Sequence, residues 1–131
     1  MRRLVAALTC AVTAVASAVV LAAPASAAGH QTYTAYSDGS PDGTNRSLAV
    51  FYSYGDLLVG CDMSKDGHHS VVVYYARGMS GSRAVHNHNG AGGQCTRTRL
   101  DLPEGTDLVF QSCIGEGSRI YACGDTVAAT A

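Results

Sequence analysis

Histidines and cysteines are the side chains of this sequence best suited to chemistry. His68 and His69 follow the turn-like stretch DMSKDG, and His86 and His88 stand two apart in RAVHNHNGAGG. Residues two apart in an extended segment project to the same side, as metal ligands on a strand do. The sequence places no third ligand beside them, and the Asn and Gly neighbours describe a solvated turn equally well. No metal and no other cofactor is expected. The stretch from Asp62 to Gly67 has the rhythm of a calcium loop, but Val73 stands where a bidentate glutamate is required, so a tight hairpin through Asp66-Gly67 is the expectation there.

Four of the five cysteines, Cys61, Cys95, Cys113 and Cys123, lie downstream of the apolar N-terminal run that holds Cys10. An even number without any C-x-x-C pair reads as two disulfides rather than zinc. Three pairings are open. CIGEGSRIYAC reads as a hairpin whose arms bring Cys113 opposite Cys123, which leaves Cys61 for Cys95.

A catalytic constellation is hard to assemble. Ser80 and Ser82 sit in a Gly-rich turn without the G-x-S-x-G elbow, and Glu104 and Glu116 fall at turn tips. The expectation is a protein that is not an enzyme.

The elements that must hold these residues are strands. RSLAVFYSY, DLLVGCD, HSVVVYYAR, RAVHNH, CTRTRLDL, DLVFQSC and RIYACG are short and rich in β-branched or aromatic residues, and Gly-rich turn segments separate them. In CTRTRLDL, Thr96, Thr98, Leu100 and Leu102 share one face and Arg97, Arg99 and Asp101 the other. VVVYY is apolar on both faces and belongs in mid-sheet. About seven such strands with two disulfides predict an all-β fold, a small immunoglobulin-like antiparallel β-sandwich.

Upstream, Arg2 and Arg3 precede an apolar run from Leu4 to Leu21, and Ala25-Ser26-Ala27 forms a small-residue cleavage site. Residues 1–27 are therefore expected to be a signal peptide, residues 28–45 an exposed leader and linker, and residues 46–131 the disulfide-bonded domain. Removing 27 of 131 residues leaves 104, and losing Arg2 and Arg3 takes the formal charge from −1 to −3. Such a chain is secreted, has no membrane association after cleavage, and lacks the basic stripe that nucleic acid requires.

Cleavage after Ala27 places His30 third, where an amine, two amides and an imidazole can wrap Cu(II) or Ni(II) in a square plane; cleavage one residue later spoils that chelate. Tyr33 and Tyr36 alternate with polar residues in QTYTAY. This segment is either an edge strand of its own domain or a tail that adds to a protein partner, its tyrosines filling pockets. Ala28, Gly29, His30, Gln31, Tyr33 and Tyr36 are the candidate docking residues.

Taken together, DLLVGCDMSKDGHHSVVVYY, TRLDLPEGTDLVFQSC and RIYACGD resemble the small two-disulfide secreted β-sandwich proteins of actinomycetes over about residues 46 to 125. One lysine against eight arginines fits the same high-GC source. Within that group the chain resembles the adaptor subunit of umbrella toxin particles, which bridges a lectin-bearing subunit and a stalk-bearing toxin polypeptide. The resemblance implies a non-catalytic adaptor docking secreted protein partners through its N-terminal segment. The alternative is a secreted inhibitor of a protease or glycosidase that presents GMSGSRAV, with Arg83 as anchor, to an enzyme cleft.

Overall fold

The computed structural model describes residues 29–37 and 46–131. The expected signal peptide, Ala28 and the linker at 38–45 lie outside the described residues. Nine strands run in chain order: β1 (Thr32–Tyr36), β2 (Ser47–Tyr52), β3 (Leu57–Asp62), β4 (His69–Ala76), β5 (Arg83–Asn87), β6 (Thr96–Arg99), β7 (Asp107–Glu116), β8 (Arg119–Tyr121) and β9 (Val127–Thr130). Sheet A has the order β1-β2-β3-β6; sheet B has the order β5-β4-β7-β8, and β9 also pairs with β7. All pairings are antiparallel, so the protein is an all-β, two-sheet sandwich, as its sequence leads one to expect.

Period-two alternation decides what is buried. On β2, Ser47, Ala49 and Phe51 face inward, while Leu48, Val50 and Tyr52 face out. Phe51 meets Phe110 of β7 across the core with ring centroids 6.4 Å apart, and Leu58, Val72, Tyr74 and Leu108 close around them. Burying each of these large side chains stabilises the fold by roughly 1.5–3 kcal/mol. The sheets approach closely where side chains are small. A Cβ at Gly60 would stand 2.8 Å from Val72 Cγ2. At one end of the core the contact is polar: the Ser47 hydroxyl hydrogen-bonds both Ser70 and Ser112, each at 2.6 Å, so one group on sheet A ties two strands of sheet B. Satisfied in this way, three buried hydroxyls avoid the cost of desolvation without partners.

VVVYY lies in β4, between β5 and β7, in mid-sheet as expected. Both disulfides pair as the hairpin reading predicts. Cys61–Cys95 links adjacent strand positions of β3 and the start of β6, and Cys113–Cys123 closes the β7–β8 hairpin. The hairpin turns on Gly117, at φ 58°.

Three expectations are corrected. The domain begins before residue 46, because β1 pairs along its whole length with β2 and buries Ala35 in the core. Asp66-Gly67 is not a tight hairpin, because β3 and β4 belong to different sheets and 63–68 is a crossover between them. Its acidic residues serve as local turn formers: Asp62 Oδ1 accepts from the Ser64 N–H at 3.1 Å and Asp66 Oδ1 from the His68 N–H at 3.0 Å. Finally, Val127–Thr130 forms β9 against β7, a strand that the sequence pattern does not predict. Among the described residues no helix is long and apolar enough to cross a membrane.

Candidate functional site

Two surfaces collect the residues singled out by the sequence. The first is the N-terminal side of sheet A. Gly29, His30 and Gln31 are exposed. Gln31 continues the β1–β2 ladder by one step: its carbonyl accepts from the Ser53 N–H at 3.0 Å and its own N–H donates to Ser53 Oγ at 2.9 Å. His30 stacks on Tyr54 with centroids 4.3 Å apart and planes 14° from parallel. Tyr54 is itself 74% exposed, so the pair forms an aromatic ledge. Behind it, a depression of about 400 Å³ is lined by His30, Tyr52, Tyr54, Leu57, Val59 and Arg97.

The two leader tyrosines separate. Tyr36 stands opposite Leu48 on the outer face, whereas Tyr33 turns inward against Phe51, at 6.3 Å, and donates its hydroxyl to Gln31 Oε1. Tyr33 is therefore engaged within its own domain rather than free to fill a partner's pocket.

The edges of sheet A differ in chemistry. Because Ser53 bonds to Gln31, the alternation of an antiparallel ladder turns the peptide groups of residues 33 and 35 toward β2. Those of Thr32, Thr34 and Tyr36 face the open side. TYTAY carries no charge and no proline, the usual guards of an edge. The opposite edge, β6, is short and carries Arg97 and Arg99.

The second surface is the histidine end of sheet B. The β4–β5 register pairs Ser70 with Asn87 and Val71 with His86, and one further step sets His69 opposite His88. Asn87 holds this strand end. It is 1% exposed, donates Nδ2 to the Gly60 carbonyl at 2.9 Å, and accepts the Asn89 N–H on Oδ1 at 2.9 Å. His86 and His88 consequently share the outer face, as their spacing predicts, and their rings lie 7° from parallel with centroids 5.6 Å apart. His69 supplies what the sequence could not place. Its Nε2 lies 2.9 Å from His86 Nδ1, and its ring centroid is 4.3 Å from that of His88. One nitrogen from each of the three lies within 4.8 Å of the others.

Gly115 of β7 stands opposite His69 in the register and gives it room: a Cβ there would lie 2.6 Å from His69 Nε2 and 2.7 Å from Val71 Cγ2. Burial pulls the His69 imidazole below its ordinary pKa, and neighbouring His88 and His86 add to that, with Asp62 opposing. These effects favour the neutral ring, which offers one nitrogen lone pair. Counting outward from the turn does not reveal this site, since the register centres β4 and β5 between Gly78 and Met79 and not on Ser80, the middle of GMSGS.

His68 takes no part in the cluster. It turns toward β8, where the Tyr121 hydroxyl lies 2.7 Å from its Nδ1. Ser80 and Ser82 are exposed in the β4–β5 loop, and Glu104 and Glu116 flank opposite ends of β7. Compared with known proteins, the chain matches no family model, no curated protein and no solved structure.

Proposed function

We propose that the protein is a secreted, non-catalytic binding domain that docks a secreted protein partner along β1 and the segment before it, as an adaptor in an extracellular, toxin-like assembly. The observation that carries this reading is the unguarded edge of β1. Thr32, Thr34 and Tyr36 offer peptide N–H and C=O groups outward from an uncharged strand that, among the described residues, is hydrogen-bonded to a neighbouring strand on one side only, with Asp125 and Val127 lining a shallow pocket with Thr34 and Tyr36. A partner strand added there gains main-chain hydrogen bonds, and alternate side chains supply specificity. Gly29, His30 and Gln31 extend the same line, and the His30–Tyr54 ledge beside it offers rigid aromatic area at low entropic cost. Two disulfides suit an oxidising compartment and keep so small a body rigid enough to present the edge.

The test is recovery of the full chain, tagged at its C-terminus, from the supernatant of its native host, with mass spectrometry of what travels with it. Large secreted polypeptides in fixed ratio are expected with the natural sequence and not with Thr34→Pro, which deletes an outward N–H without touching the β1–β2 ladder. Recovery of a lone monomer, or of the same polypeptides with Thr34→Pro, overturns the reading. A monomer that blocks a secreted hydrolase would replace it with the inhibitor.

A further inference from the structure

The histidine cluster lies on the other sheet from the proposed docking edge and has no part in that reading. We propose that His69, His86 and His88 form a binding site for one divalent transition-metal ion, zinc being the ion the donor set fits best.

The argument begins with the ligands. Three imidazoles and no carboxylate make a borderline-soft nitrogen set, which suits Zn, Cu, Ni and Co and excludes the oxygen-seeking Ca and Mg. Tetrahedral zinc with bonds of about 2.0–2.1 Å sets its ligand nitrogens about 3.3 Å apart. The 2.9 Å between His69 Nε2 and His86 Nδ1, and the 4.8 Å that contains all three nitrogens, lie on either side of that spacing. Small ring rotations close the difference. A hydrogen bond between two neutral imidazoles would account for His69 and His86, but it gives no role to the third ring, 4.3 Å from His69 by centroid.

The surrounding fold is arranged for these rings. The register sets His69 across from His88 and diagonal to His86, the buried Asn87 between the two β5-side histidines fixes their common direction, and Gly115 leaves out the side chain that would occupy the place of the His69 ring. A metal ion binds imidazoles through unprotonated nitrogens, so one cation shared among the three would take the place of protons. His88 is exposed, so a bound ion keeps a fourth position open to water, as three-histidine zinc sites do.

The experiment is zinc titration of tag-free, chelator-stripped full protein by calorimetry at neutral pH, repeated with Co2+ and read by visible absorption. All proteins carry His30→Ala, because an N-terminal chelate would compete for metal. One zinc per chain is expected, together with cobalt bands of tetrahedral intensity. Replacing one ligand in His88→Ala should weaken binding at least about tenfold, and His69→Ala with His86→Ala should abolish it. His88 is exposed, so its variant should retain the melting temperature of the metal-free parent, which keeps the affinity comparison clean. Absence of zinc binding below millimolar concentration in the parent overturns the proposal, as does equal affinity in parent and His88→Ala.

Discussion

The outer faces of the two sheets are built on opposite plans. On sheet A the candidate surface is a run of chain: residues 29 to 36 follow one another along an edge, and Tyr52 of the neighbouring strand and Tyr54 of the turn after it complete it. On sheet B the candidate surface is a convergence. His69 comes from β4, His86 from β5 and His88 from the segment after it, and the space for the His69 ring is left by a glycine on β7. Recognition by an edge needs only backbone and a few contiguous side chains, so it survives small shifts of register. Coordination needs three nitrogens within a few ångströms, and one residue of slippage on β5 would send His86 and His88 to the inner face. The two surfaces should therefore respond very differently to perturbation.

The largest effect that separates the sheets comes from their disulfides. Replacing Cys61 and Cys95 by serine frees a loop of 34 residues and should cost about 4 kcal/mol in the chain-entropy picture. The equivalent change at Cys113 and Cys123, 10 residues apart, should cost about 3 kcal/mol. Urea unfolding of the two double variants measures the difference. A larger loss from the shorter loop would show that sheet B depends on its staple more than chain entropy accounts for.

Gly115→Ala should have the next largest effect, because its Cβ would press on the His69 ring and on Val71, which is 0% exposed and cannot move aside. The cost to stability is about 1–3 kcal/mol, typical of overpacking. If the cluster binds zinc, affinity should fall as well, while partner recovery through β1 stays intact. A variant that lost both would show that the two surfaces are coupled.

A smaller effect should appear with pH. Burial and two histidine neighbours lower the His69 pKa in the folded protein, so below the ordinary histidine range the unfolded chain binds more protons than the folded one. Stability contributed by the neutral ring is then complete above the unfolded pKa and is lost as pH falls through the depressed folded value. The groups facing His69 are His86 and His88 from the β5 side, Asp62 from β3 and its neighbour His68. Metal-free protein should melt at progressively lower temperature as pH is lowered through this window, and His69→Gln should flatten the slope. A profile unchanged by that substitution would place the titration elsewhere.

The same contrast explains what could be read from the sequence. β2 to β8 are legible because each is a short run rich in β-branched or aromatic residues bounded by turn residues, and the Cys113–Cys123 hairpin follows from one local segment. β9 is not, since four residues with two central alanines make too short and weak a strand signal, and the segment is held by its pairing with Asp107–Phe110. The crossover at 63–68 has the sequence of a hairpin, because Asp-Gly marks a turn without saying whether the next strand joins the same sheet. For the candidate sites, QTYTAY stands out in the sequence as an edge strand or a tail, and only the β1–β2 register shows that it is an edge strand with Tyr33 turned inward. The third histidine and Gly115 become visible only once β4, β5 and β7 are set in register.

The smallest effect on stability should come with the sharpest effect on function. Thr34→Pro removes an N–H that faces the open side of β1, so unfolding free energy should change by no more than about 1 kcal/mol. Its matched control is Arg99→Pro on β6. The Leu100 N–H bonds to the Asp56 carbonyl, so ladder alternation turns the Arg99 N–H to the other open edge of the same sheet. If a partner adds a strand to β1, Thr34→Pro abolishes recovery of the complex while Arg99→Pro leaves it in place. Equal loss from both would mean that the partner reads the face between the edges, where Tyr52, Leu57 and Arg97 lie, and not the backbone. Equal retention would mean that neither edge is read, and Gly29 to Gln31 would then have to hold the partner by themselves. Only the first pattern assigns docking to an edge left uncharged on one side of a sheet whose other side is guarded by arginine.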